Sequence, residues 1–332
     1  MKNRKVIVFG GGGYVGSVLI PKLLQTGIKV SVFDTFWYGK DVFSPAVSSN
    51  PNLTLIQDDI RNIPAVASAL LGVTDVIHLA CISNDPSFDL NPELGKSINL
   101  DCFMPLVVEC KKAGVQRFIY ASSSSVYGVK EEERVTEELI LEPLTDYSKF
   151  KAACELTLLE LASPDFVCTV LRPATVCGVS TRQRFDLSVN ILTNHAINKG
   201  KITVFGGTQH RPNLHIQDMA DSYIHVLQQP EKKVSSKIYN VGGENLSLDE
   251  IAEKVKTITG VSDIVHEPTD DLRSYRVDSS KIAEDLGFYP TKSVDNAIED
   301  LAKAFQGNLY SESLSSSRYF NIKRMQELAL NQ

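Results

Sequence analysis

The chain has no excess of positive charge, no long apolar run, no paired-cysteine spacing and no histidine cluster. Each absence removes a class of function. Thirty-four Lys and Arg stand against 40 Asp and Glu, a formal net charge of −6 over 332 residues. A basic face for nucleic acid is therefore missing, and no nucleic-acid partner is expected. The basic start "MKNRKVIVFGGGG" offers four apolar residues before its glycines, too few for a signal-peptide core, and no later run approaches the length of a membrane span. A cytoplasmic protein without a membrane partner is expected. The six cysteines (Cys81, Cys102, Cys110, Cys154, Cys168, Cys177) show no CxxC spacing, so they read as small core or loop residues rather than a disulfide framework. The six histidines show no HExxH or other ligand spacing, so no metal is expected, and His78 reads as a packed strand-end residue. No 20–50-residue repeat or low-complexity tract is present.

What is present is an ordinary globular composition, 43% hydrophobic and 22% charged, on a chain long enough for a large core. Short β-branched runs alternate with helical apolar spacing: "KVIVF" is followed by a helix from Tyr14 to Gly27, then come "IKVSVFD", "LTLIQDDI" and "VTDVIHLAC". A helix over 95–114, a strand over 115–125, a helix over 146–163 and a strand over 166–176 complete the rhythm. This alternation predicts an α/β fold with a doubly wound parallel sheet. Beyond about residue 178 the pattern becomes α+β, with one more strand at "KIYNVGG" (237–243), and residues 308–332 show no pattern that assigns them to a core.

The glycines after the first strand carry the spacing Gly10-x-x-Gly13-x-x-Gly16, enclosing Tyr14 and Val15. Residues without a Cβ permit a tight turn, close approach of backbone to a pyrophosphate and close helix–strand packing. The helix that starts here presents free N–H groups and the positive end of its dipole to phosphates. Alone, such a run is equally a loop with incidental glycines. Asp34 ends the next strand, 18 residues after Gly16, where a carboxylate accepts hydrogen bonds from ribose hydroxyls and repels an added 2′-phosphate. The cofactor expected is NAD. The plainer alternative for Asp34 is a strand-capping turn residue.

Tyr147 and Lys151 lie four apart at the start of a predicted helix and so share a face. A lysine cation beside a phenol favours the phenolate, so Tyr147 is expected to have a lowered pKa and to act as a base. By itself this pair is also a common solvated surface feature. The serine-rich strand end "YASSSSVYG" (120–128) supplies a hydroxyl for the same substrate oxygen.

Taken together, "GGGGYVGS", "DDIRN", "DVIHLACIS", "YASSSSVYG", "YSKFK", "LRPATVCG", "HRPNLHIQDMA" and "RVDSSKI" resemble the extended short-chain dehydrogenase/reductase family, in its nucleotide-sugar epimerase/dehydratase group. The resemblance implies a Rossmann domain over 1–178 plus about 214–245, a nucleotide-sugar domain over about 179–213 plus 246–310, and a tail over 311–332. It implies a catalytic set of Ser123, Tyr147 and Lys151. Beside Gly10, Gly13, Tyr14, Val15, Gly16 and Asp34, it places Asp59, Ile60, Leu79, Ala80, Asn99 and Pro173 along the cofactor. Asp59 as a strand-end turn and Asn99 as a helix-internal cap are the plainer alternatives. For the sugar and its diphosphate it offers Ser83, Ser124, Thr175, Asn190, Arg211 and Arg273, since an arginine fork donates paired bonds to phosphate. Surface ion pairs and a loop cap are the alternatives for the arginines and Ser83.

Group members that eliminate water carry Asp and Glu after the catalytic Ser/Thr, where this chain has Ser124 and Ser125. Dehydration is thus disfavoured, and Ser125 counts against decarboxylation. A C4 epimerase working through a keto sugar is expected, with a 4-dehydrogenase or 4-ketoreductase for unusual surface-polysaccharide sugars and a non-catalytic NAD-binding sensor or scaffold as alternatives. A homodimer through two helices per subunit is the group's habit.

Overall fold

A computed structural model describes residues 4–269 and 274–330. Seven strands form one parallel sheet: β1 (Lys5–Phe9), β2 (Lys29–Asp34), β3 (Leu53–Gln57), β4 (Asp75–His78), β5 (Arg117–Ala121), β6 (Val167–Pro173) and β10 (Lys237–Val241). Their order is β10-β6-β5-β4-β1-β2-β3, with every neighbouring pair parallel. The order reverses between β1 and β4, so a crevice opens beyond the carboxyl ends of these two strands. Val6, Ile7, Val8 and Phe9 are all fully buried, which is why β1 reads as a continuous apolar run rather than an alternating one.

Three further strands, β7 (Thr175–Cys177), β9 (His210–His215) and β11 (Glu244–Ser247), make a second sheet in the order β11-β9-β7. A parallel pair, β8 (Ile202–Phe205) and β12 (Ile264–Glu267), packs with the helices Ser188–Lys199, Leu248–Thr259 and Val294–Gln306 around a separate apolar cluster. Among the described residues no helix is long and apolar enough to cross a membrane, and all six cysteines are free.

Three local expectations change. The first helix runs Gly16–Gln25, because residues 10–15 are used as the turn. The run 166–176 is two strands: β6 ends at Pro173, and Thr175–Cys177 crosses to the second sheet. The helix expected over 95–114 is interrupted by a π-turn at Ser97–Asp101 between Pro92–Lys96 and Phe103–Lys112.

The segment after residue 308 is a packed part of the fold. Tyr310 and Tyr319 are buried against Phe185 and Phe305, and Met325 joins the core on one face of the main sheet. Tyr310 and Tyr319 reach Phe185 across more than a hundred positions of sequence, and no local periodicity announces that.

Candidate functional site

The strand-to-helix turn after β1 is built as a cradle. Gly10 has φ of +79°, and a Cβ there would lie 2.5 Å from the Ala80 backbone at the end of β4. A Cβ on Gly16 would lie 2.3 Å from the Gly11 carbonyl, so the helix start can seat only because that position is bare. Gly13 meets nothing nearer than 3.3 Å and faces the groove. The Gly12 N–H donates to Asp34 Oδ2 at 2.9 Å, and the Phe36 N–H donates to Oδ1 at 2.7 Å. Asp34 therefore caps the turn and also lines the groove. Burial raises its pKa, while these two donors and the Arg182 guanidinium pull the other way. A bare turn opening a helix, with a carboxylate at the next strand end, fits a dinucleotide.

The residues expected to react stand where β5 ends. Ser123 caps the 3₁₀ turn Ser124–Tyr127, and its Oγ accepts from the Ser125 N–H at 3.1 Å and from the Ser125 hydroxyl at 2.9 Å. Tyr147 and Lys151 come from the helix Asp146–Leu161, whose start is fixed by a reciprocal Thr145–Ser148 capping box. The buried Lys151 ammonium donates to the Ala121 carbonyl at 2.6 Å and lies 5.9 Å from the Tyr147 ring centre and 4.9 Å from that of Tyr120.

The expected lowering of the Tyr147 pKa is not what the structure gives. Burial pushes this phenol up, and the Cys81 thiol and Asp85 carboxyl add to the rise, while the Ser123 hydroxyl and Arg184 guanidinium oppose it. Desolvation of the phenolate outweighs the neighbouring positive charges.

Under this strand end lies a closed polar chain. Ser122 donates to Glu155, and Glu155 holds Arg172 through bonds of 2.7, 3.0 and 3.2 Å. Arg172 donates to the Tyr127 hydroxyl at 2.8 Å, which donates to Asn240 Oδ1 at 2.7 Å. Strands β5, β6 and β10 and the helix Asp146–Leu161 are thus locked together beneath Ser123.

The opposite wall is the loop after β7. Ser180 Oγ donates to the Tyr14 carbonyl at 3.0 Å and lies 2.6 Å from Ser17 Oγ, which pins the loop to the glycine turn. Arg184 pairs with Asp186 at 2.9 and 3.1 Å and donates to Ser83 Oγ at 3.1 Å. Burial alone would push the Asp186 carboxyl up, yet the Arg184 guanidinium holds it below its ordinary value. Asn321, from the C-terminal segment, accepts from Arg182 at 2.5 Å and from the Tyr38 hydroxyl at 2.9 Å, and donates to the Ser83 carbonyl at 3.2 Å.

One cavity of about 640 Å³ collects nearly every residue singled out from the sequence. Two do not line it. Asn99 sits in the π-turn and spends its amide on the Ile82 N–H (2.8 Å) and carbonyl (2.9 Å), so it holds the groove wall from behind. Asn190 is fully buried; it accepts from the Gly178 N–H at 2.9 Å and donates to the Tyr14 hydroxyl at 3.0 Å and the Arg184 carbonyl at 2.9 Å. With its amide used internally, it is unavailable to a diphosphate. Tyr14 lines the cavity, but its hydroxyl is turned inward to the Gly178 carbonyl at 2.7 Å. Arg273 lies outside the described residues.

The sequence reading missed Trp37, Tyr38, Tyr275, Asn321 and Met325 as groove residues. Arg182 and Arg184 were legible as a basic pair in "TRQRFD", while Asn321 had no local signal, because its contact with Tyr38 spans 283 positions.

The sequence model of the NAD dependent epimerase/dehydratase family matches residues 6–242. A UDP-glucose 4-epimerase of Lactobacillus helveticus is 28% identical over 318 residues, covering 89% of this chain and 94% of that protein. Among solved structures, a UDP-glucuronic acid 4-epimerase from Bacillus cereus, in complex with UDP-glucuronic acid and NAD, superposes with a TM-score of 0.82 at 26% identity, covering 92% and 100% of the two chains. A dTDP-glucose 4,6-dehydratase from Streptomyces venezuelae reaches a TM-score of 0.84 at 23% identity, covering 94% and 100%. At that identity the likeness is one of fold alone, and one fold here houses two reactions.

Proposed function

The chain belongs to the NAD dependent epimerase/dehydratase family, and from that premise we propose that it is a nucleotide-sugar C4 epimerase. The observation that carries this reading is the serine pair after Ser123. Ser124 Oγ lies 3.2 Å from the Tyr275 hydroxyl and Ser125 Oγ bonds Ser123, so hydroxyls stand beside the reacting oxygen where water elimination would use carboxyl groups.

The glycine turn, Asp34 and the groove wall at Leu79, Ala80 and Pro173 would hold NAD. When bound, NAD supplies the acceptor and the donor of hydride at the sugar carbon. The chain's own groups handle the proton and the pose. Tyr147 takes the proton of the C4 hydroxyl, and Ser123 holds the same oxygen. The Lys151 cation favours phenolate over phenol, working against the burial that raises its pKa. The keto sugar then turns over, and the proton returns from Tyr147 as the opposite face is reduced. Arg211, on β9 and lining the groove, suits the substrate's diphosphate. Residues 1–178 plus about 214–245 form the cofactor half in this reading, and most of the rest forms the sugar half. A homodimer is proposed through the helices Phe103–Lys112 and Asp146–Leu161, which leave Met104 and Leu156 exposed at 57% and 65%.

Both the Lactobacillus and the Bacillus relatives act on UDP-sugars by name, so UDP-glucose and UDP-glucuronic acid are the first substrates to test. The NAD-loaded protein should convert one into its C4 epimer, seen by NMR, without net absorbance at the NADH wavelength. Stoichiometric NADH would replace the epimerase with a 4-dehydrogenase, and a 4-keto-6-deoxy product would replace it with a dehydratase.

A further inference from the structure

Arg182 is a buried cation that feels Asp186 and Asp34 at a distance but has no ion pair of its own among the described residues. It is 2% exposed and lines the ligand groove. Its neighbour Arg184 has Asp186 at 2.9 Å, but among the described residues no carboxylate lies within 4.0 Å of Arg182. Its bonds go to neutral acceptors, the Asn321 side chain at 2.5 Å and the Gln183 carbonyl at 3.4 Å, and its Nε has no partner at all. The guanidinium plane rests on the Tyr38 ring, with Cζ 3.4 Å from the ring centre. Desolvating a guanidinium without a paired carboxylate is costly, so such a group persists where a ligand supplies the anion.

The position says which anion. Two residues earlier, Ser180 is bonded to Tyr14 and faces Ser17 at the first turn of the glycine-loop helix. Arg182 also acts on Asp34, and Tyr38 follows four residues after that aspartate. Arg182 therefore closes the cofactor end of the groove, across from the helix N-terminus.

We infer that Arg182 binds the diphosphate of the dinucleotide, and that the C-terminal segment, through Asn321, is the part of the chain that aims it. This rests on the reading of the groove as an NAD site. Asn321 acts as a positioning residue and Arg182 as a direct ligand.

The test is calorimetric binding to nucleotide-free protein of NAD, of adenosine, which lacks phosphate, and of UDP, which carries a diphosphate for the other half of the groove. Arg182→Met should weaken NAD at least tenfold, leave adenosine and UDP within twofold, flatten the salt dependence of NAD binding, and unfold at a temperature no lower than wild type. Arg182→Lys, which keeps the charge and loses the fork, should fall between. Asn321→Ala should weaken NAD by a smaller factor and have no further effect in the Arg182→Met background. NAD affinity within twofold of wild type in both Arg182 variants would overturn the inference, as would a loss confined to UDP. Wild-type protein that binds UDP but no NAD would overturn the cofactor reading and this inference with it, whereas unchanged variants beside a binding wild type overturn this inference alone.

Discussion

Two buried arginines, one beneath the groove floor and one in its wall, solve the same electrostatic problem differently. Arg172, beneath the reacting serines, is 3% exposed and has a forked ion pair with Glu155, itself 2% exposed. Arg182, at the cofactor end, is as deeply buried and has only neutral protein acceptors. The first region is complete within the protein and serves as rigid support; the second is completed by what binds. Rigidity is needed where atoms react, since a small misplacement of a base is costly, and an unpaired charge is useful where an anion must be recognised.

The largest effect expected belongs to the reacting end. Tyr147→Phe should lower kcat by about 100- to 10,000-fold while NAD and UDP affinities stay near wild type; a kcat within tenfold would move the base elsewhere. Next, Glu155→Gln should cost about 3–5 kcal/mol in urea unfolding, because it leaves the Arg172 charge buried and unpaired. Arg182→Met should show no such loss. If both variants lost stability alike, the distinction between an ion-paired and an unpaired cation would fail.

A third buried group avoids the problem by staying neutral. His78 packs among Phe9, Phe103, Phe118 and Tyr120, and burial, with the nearby Lys151 cation, pushes its pKa down to about 3. A histidine depressed in the fold binds its proton more readily when unfolded. Stability is therefore lost as pH falls from about 6.5 toward the folded value. At pH 4.5 the loss is about 2 to 3 kcal/mol relative to neutral pH. His78→Phe should remove that part of the acid sensitivity in thermal melts at pH 4.5 and 7, and an unchanged difference between the two would refute it.

The smallest effect concerns Asp186. Held below its ordinary value by Arg184, its carboxylate contributes stability that is present above about pH 4 and is lost on further acidification. Asp186→Asn should therefore shrink the stability lost on acidification below pH 4, read in the same melts.

The parts of the site legible in the sequence are those whose geometry is local. Gly10, Gly13 and Gly16 define a turn by their spacing; Tyr147 and Lys151 share a helix face; Asp34 ends a strand. Asn99 and Asn190 were assigned to the groove, and the structure turns both away from it. A π-turn redirects the first, and the fit between Gly178 and Tyr14 consumes the amide of the second.

By itself the sequence determined the doubly wound sheet, the cradle after β1 and the shared helix face of Tyr147 and Lys151, because 3.6- and 2-residue periods and a missing Cβ act over a few residues. Only the tertiary structure decided that the Tyr147 phenol is raised rather than lowered, that Arg182 has no ion pair of its own, and that Asn321 and Met325 join the groove. Burial depends on contacts between distant parts of the chain, such as the 139 positions between Arg182 and Asn321, and no short stretch contains them.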